Sequence, residues 1–270
     1  MYQALFLKIL PVVPIIHASS FRPSSENSLL LLSICSVGAL FIGLKSARAC
    51  GRGIFRTLNK VLLASVCWDT YCTYVGALTR YSGTLIIIKA LATLAIAQAV
   101  TLGQTFGMLS GNPSDLFLTE CFYGTLIAWS RHAGIFRIKS ALDIVDSGTS
   151  DVESSWKTWI QAEESSRVLL ALHIHDAKFS AAFHRKPLLR HELDSLPRCA
   201  PEGLFGAPTA ASWHEKVMSC QSTNYRNTPQ PDDAEHVSAT VNSVTAPSLM
   251  NYTLPSQGSM LPLAKHGSRR

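Results

Sequence analysis

The residues of this chain with the strongest claim to chemistry lie in WKTWIQAEESSRVLLALHIHDAKF, residues 156–179. Placed at about 100° per residue, Trp156, Trp159, Ile160, Glu163, Arg167, Leu170, Ala171 and Ile174 share one helical face. Two charges therefore sit inside an apolar stripe. Glu163 precedes Arg167 by one helical turn, the order and spacing that let a carboxylate and a guanidinium pair. An unpaired charge on such a face would cost roughly several kcal/mol, so the pair reads as structural. Glu163 as a general acid or base would need a proton partner and a cleft, and the pattern points to neither. Asp176, at the end of the stripe, reads as a helix-end or inter-helix contact.

Other chemistry finds no support in the spacing. The cysteines are Cys35, Cys50, Cys67, Cys72, Cys121, Cys199 and Cys220, with no C-x-x-C pair that could close a zinc site. They read as reduced thiols buried as small hydrophobes. His173 and His175 are two apart and face different sides of a helix; His184 and His191 are separated by Pro187. No metal site, no cofactor site and no catalytic residue is expected. Phosphate-binding, dinucleotide, zincin and nucleophile-elbow patterns are missing. An enzyme is therefore not the expected class.

These residues must be positioned by helices. Hydrophobic residues make up 47% of the 270 and charged residues 16%, ample for a core. The net charge is +6 and reads as a scattered basic excess without a nucleic-acid arm; the terminal KHGSRR reads as a solvated tail. Residues 1–10 read as a short helix stopped by Pro11, and 11–21 as an extended connector. Helices are expected from the capping stretch Ser24–Ser28 to about Arg48, over 52–80, over 84–109, and over 115–133 with Ser114 as cap. Ala39, Gly43 and Ala47 recur every four residues, as tight helix packing requires. In the fourth helix Phe117, Cys121, Gly124 and Ala128 line one face, and Gly134 ends it. Residues 146–155 read as a polar loop, and 187–213 as a Pro-punctuated stretch. From 221 onward the chain is rich in Ser, Thr, Asn and Pro, too poor in apolar surface to offset ordering entropy. The fold class is all-α: a multi-helix domain over 1–220 with a disordered C-terminal tail over 221–270. Leu29–Leu44 and Thr84–Leu109 are apolar enough to raise a polytopic membrane protein as an alternative. The first is short for a span and the second is interrupted by Lys89, Gln98 and Gln104, so no membrane partner is expected. The leading segment lacks the basic start of a signal peptide.

The helix of residues 156–179 resembles the signature of the fungal-specific transcription factor regulatory domain, or middle homology region. The matching positions are Trp156, Trp159, Ile160, Glu163, Arg167 and Asp176. The family often carries two adjacent basic residues where this chain has Ser166-Arg167. Further segments resemble the family in its order: PVVPIIHASSF (11–21), SLLLLSICSVGALF (28–41), LGQTFGMLSG (102–111), YGTLIAWSRHAGIF (123–136) and LDSLPRCAPEGLFGAPTAASW (193–213). In the last, Leu196, Pro197 and Trp213 carry the likeness. The resemblance spans about residues 2–216 and is greatest to members with zinc fingers.

The resemblance implies an all-α, nuclear, non-enzymatic regulator of a fungal metabolic pathway, with a secondary-metabolite gene cluster as one such target. Its implied partners are the transcription machinery, a DNA-binding partner protein, or a second copy in a homodimer. The resemblance starts almost at Met1, with no counterpart of the family's zinc DNA-binding module before it, so direct DNA contact is not expected. A truncated, non-DNA-binding remnant of a zinc-finger factor is the alternative.

Overall fold

The apolar run after Ser28 folds as two helices rather than one. In the computed structural model α1 (Ser28–Leu40) stops at a turn, and α2 (Lys45–Gly76) starts a new direction. Phe41 caps α1, and Gly43, in the turn that follows, takes φ +83, a left-handed conformation that costs little without a Cβ. The expected helix to Arg48 is thus corrected, and Ala39, Gly43 and Ala47 do not form one stripe. The close approach lies at Gly51 instead. A Cβ there would meet Ala39 Cβ at 2.7 Å and the Ser36 carbonyl at 2.9 Å. Ser36 Oγ donates to the Gly51 carbonyl across the same contact, at 3.0 Å.

The structure describes residues 8–25, 27–76, 83–132, 134–137, 141, 151–190, 196 and 198–226. After α2 come α3 (Gly83–Leu109), α4 (Pro113–His132), a 3-10 turn (Ile135–Arg137), α5 (Val152–Ala182), α6 (Glu202–Phe205) and α7 (Ala210–Arg226). Among the described residues the fold is all-α, without a strand. α7 carries helix past the expected boundary at 220; the rest of the expected tail, 227–270, lies outside the described residues, as does most of the helix expected over 1–10.

α3 is the central element, packed against α1, α2, α4 and α5. Its apolarity comes from being enclosed. Ala97, Val100, Leu102, Phe106 and Met108 are buried, and so are Gln98, Thr101, Gln104 and Thr105. Each of these four polar side chains meets a partner. Thr101 Oγ1 and Thr105 Oγ1 donate to the carbonyls four residues back, at 2.8 and 2.9 Å. Gln98 Nε2 donates to the Ile15 carbonyl at 2.9 Å, and Gln104 Oε1 lies 2.8 Å from His175 Nδ1. Among the described residues, no helix is long and apolar enough to cross a membrane.

Local chemistry moves two expected boundaries. Asn112, not Ser114, caps α4: its Oδ1 accepts from the Ser114 amide at 2.9 Å, with Pro113 in the first turn where its missing N–H is harmless. Asp151 caps α5, accepting from the Glu153 amide at 3.1 Å, so helix begins inside the stretch read as a polar loop. The α4 face of Phe117, Cys121, Gly124 and Ala128 points to solvent, with Phe117 63% exposed. The opposite face, with Asp115, Thr119, Tyr123, Ile127 and Ser130, is the buried one. Cys50 and Cys121 are exposed and Cys35 and Cys199 half-buried, so the thiols are not uniformly core residues. The periodicity is real in each case, but small and sulfur-bearing residues do not say which face is inward.

α5 joins two apolar clusters. Val168, Ala171, Leu172 and Phe179 enter the main core with Ile15, Ile34, Phe55, Phe106 and Ile127. Trp156, Trp159 and Ile160 enter a second cluster with Phe205, Trp213 and Val217.

Glycine substitutions separate contact from propensity. Gly51→Ala and Gly107→Ala, the latter aimed at the Thr119 side chain, should each lose about 1–3 kcal/mol on denaturant unfolding. Gly53, with open space where a Cβ would stand, should gain up to about 1 kcal/mol as alanine. Equal effects at the three positions would contradict this packing.

Candidate functional site

Arg167 stands where α5 passes from the tryptophan cluster to the main core, and it is fully buried. A guanidinium stays charged at any ordinary pH, so its surroundings must satisfy it. Nε donates to Glu163 Oε1 at 2.7 Å. Nη1 donates to the Pro14 carbonyl at 3.2 Å and to Glu202 Oε1 at 2.9 Å. Nη2 donates to the Ala200 carbonyl at 2.8 Å. The Phe205 ring lies against the group, 3.8 Å from the guanidinium carbon to the ring centroid. Glu163, also fully buried, accepts a second bond from the Ala200 amide at 2.8 Å.

One side chain therefore gathers α5, the segment before α1, the 198–201 segment and α6. His17 repeats the connection beside it. Its amide donates to Glu164 Oε1 at 2.7 Å, on α5. Its Nε2–H donates to the Ala207 carbonyl at 3.1 Å, while Nδ1 accepts from the Ser20 amide at 3.1 Å. That bonding fixes a neutral imidazole. The ring meets Trp156 and Phe205 edge-on, at 5.6 and 5.4 Å. Trp159 and Trp213 pack 5.5 Å apart on the same cluster.

Of the signature positions, Trp156, Trp159, Glu163, Arg167 and Trp213 thus converge on the first half of α5. Asp176 works elsewhere. It is buried, accepts from the Leu188 and Leu189 amides at 3.1 and 2.7 Å, and lies 3.7 Å from Arg185. It anchors the segment that leaves α5. Leu196 is half-buried, and Pro197 lies outside the described residues. Sequence reasoning does not single out His17, Gln98, Ala200, Glu202 or Phe205. His17 and Phe205 fall inside segments that resemble the family, but no spacing links positions so distant in the chain.

The electrostatics follow from enclosure. Burial raises the Glu163 carboxyl, opposed by the Arg167 charge and the Ala200 amide. Burial pushes the inward-turned carboxyl of Glu164 up to about 7. It lowers His17, and it lowers His175 to about 3. The Cys199 thiol, beside Glu163, is pushed up to about 12, mainly by burial. Glu163 is sealed against Arg167 and Ala200, which suits docking and leaves no open face for proton transfer. Among the described residues, no group of His, Cys, Asp or Glu could hold a metal ion.

The family model of the fungal specific transcription factor domain matches residues 3–205, which contain this whole assembly except α7 and the loop before it. The chain belongs to that family. It is 22% identical over 223 residues to a transcription factor of Gibberella fujikuroi, covering 82% of this chain and 26% of that protein. It is 24% identical over 202 residues to the nicotinate catabolism cluster-specific transcription factor of Emericella nidulans, covering 74% of this chain and 21% of that protein. The chain thus spans about a quarter of the length of the curated relatives it matches. No solved structure matches it significantly.

Two outcomes test the site. Arg167→Leu should lose roughly 3–5 kcal/mol by leaving Glu163 buried and unpaired. Glu163→Leu/Arg167→Leu should lose less than the sum of the two single changes, read from denaturant midpoints; additive losses would contradict the pairing. The second concerns pH. A carboxyl raised from 4.5 to about 7 on folding contributes stability that is full below 4.5 and lost as pH rises through 7. The lowered histidines act oppositely, losing stability as pH falls below 6.5. Glu164→Gln keeps an acceptor for the His17 amide, so its stability relative to the wild type should grow as pH rises from 4.5 to 7. A pH-independent difference in thermal melts would contradict the assignment.

Proposed function

We propose that this chain regulates transcription in the nucleus, acting on a fungal metabolic gene set through its helical domain. The observation that carries this reading is the family match over 3–205. A relative named for the nicotinate catabolism cluster supports a pathway-specific target, and a secondary-metabolite cluster is the proposed kind. The chain has no catalytic role in this reading, because its buried charges are committed to holding segments together. Its partners are the transcription machinery or a DNA-binding partner protein, and a second copy in a homodimer.

In this account the Trp156, Trp159, Glu163, Arg167 and Trp213 assembly is the part that keeps the regulatory surface in one shape, with Asp176 tying down the segment that follows α5; Leu196 and Pro197 complete the proposed signature. The domain is proposed to extend over 1–220.

Deleting the gene in its host should change the transcripts of a discrete metabolic gene set. Re-expressing the wild-type chain should restore them, whereas Arg167→Leu at matched protein level should not. Transcripts unchanged by the deletion would overturn the reading.

A further inference from the structure

Five of the 24 basic residues that look scattered in the sequence line one face of α2. Lys45, Arg48, Arg52, Arg56 and Lys60 fall within an arc of roughly 120° and run roughly 22 Å along the helix. Lys45, Arg48, Arg56 and Lys60 are exposed, and Arg52 is half-exposed. No acidic residue occurs between 45 and 60. The opposite face is committed to the core through Phe55 and Leu58, so α2 cannot roll to hide the charges.

A second feature sets the arginines in place. Asp115, buried at the start of α4, takes Arg52 Nε at 2.7 Å and Arg56 Nη2 at 3.5 Å. The two side chains keep 33% and 53% of their surface exposed. Asp115 offsets one charge of five and holds two guanidinium groups that remain partly exposed.

We infer that this stripe docks the phosphate backbone of duplex DNA without reading its sequence. Four-residue steps carry the charges about 6 Å along α2, close to the about 7 Å rise along the duplex axis to every second phosphate of one strand. Guanidinium groups bind phosphate through paired N–H donors, and three of the five charges are arginines. Between the charges lie Ala49, Gly53 and Thr57, all exposed. They offer no apolar anchor of the kind that holds an acidic peptide; the exposed Ile42 and Leu44 lie before the stripe, at one end of it, rather than along it. Small residues do let a stiff polyanion come close. The wide major groove of B-form DNA admits a helix, whereas the narrow one of duplex RNA does not. Phosphate contacts position a protein without specifying a base, so the stripe needs no base-reading side chains. The inference rests on charge and geometry and stands apart from the regulatory reading.

The test uses the full chain and a fluorescent duplex of arbitrary sequence, with anisotropy read across a salt series. Binding should weaken as salt rises, with a log–log slope of about −3 from three or four neutralised phosphates. Arg48→Gln/Arg56→Gln/Lys60→Gln, which keeps the Arg52–Asp115 pair, should weaken binding at low salt about tenfold or more and flatten most of that slope. The control Lys157→Gln/Lys186→Gln/Arg190→Gln removes as much charge from exposed sites on other segments and should leave binding nearly unchanged. Equal losses in the two variants would overturn the inference, since net charge alone would then explain binding. Should the stripe variant fail to fold, competition on the wild-type chain decides. Unlabelled duplex DNA should displace the probe better than duplex RNA, poly-glutamate or phosphatidylserine vesicles at equal charge; better displacement by any of those three overturns it.

Discussion

A guanidinium that water cannot reach is the constraint on which this fold turns. Arg167 cannot shed its charge, so every segment within reach must supply an acceptor or a ring face. The segments that answer are far apart in the chain: Pro14 before α1, Glu163 on α5 itself, and Ala200, Glu202 and Phe205 after it. None of these contacts is strong evidence of net stability, because burying the ions costs about as much as their attraction returns. What they fix is arrangement. A loosely docked leading segment would leave Arg167 without the Pro14 carbonyl, and a shifted 200–205 segment would leave both Glu163 and Arg167 short of partners.

The same logic runs along the whole of α5. Its first half holds tryptophans and the ion pair, its second half His175 and Asp176, and both halves bury polar groups against other segments. His175 reaches Gln104 on α3, and Asp176 catches the chain as it turns back after the helix. α3 answers with Gln98, which binds the Ile15 carbonyl next to the residues that satisfy Arg167. A helix apolar enough to resemble a membrane span is thus tied into a protein interior by its few amides. Those interruptions, Gln98 and Gln104, carry the specificity of the packing.

Much of this is legible in the sequence where a local pattern suffices. The stripe of residues 156–174 locates α5, its turn-spaced charges locate the ion pair, and the ordered segments locate the family. What stays hidden is of two kinds. One is the direction a face points: Phe117, Cys121, Gly124 and Ala128 form a real stripe, yet on the solvent side, because Tyr123 and Ile127 on the other side bury more surface. The other is long-range pairing. His17 binds Ala207 and Glu164, Ala200 binds Glu163, and Asp115 binds Arg52 and Arg56; no periodicity within one helix encodes such partners. The basic stripe of α2 is hidden for a simpler reason. Its residues are mostly four apart rather than adjacent, so they never form a run.

Native-state hydrogen exchange on the wild type and on Arg167→Leu tests the central claim most directly. If Arg167 docks distant segments as one unit, the amides of His17 and Ala200 should lose protection together in the variant. The amides in the middle of α3 should keep theirs relative to the global stability. Loss confined to α5 around residue 167, with His17 and Ala200 still protected, would contradict the account.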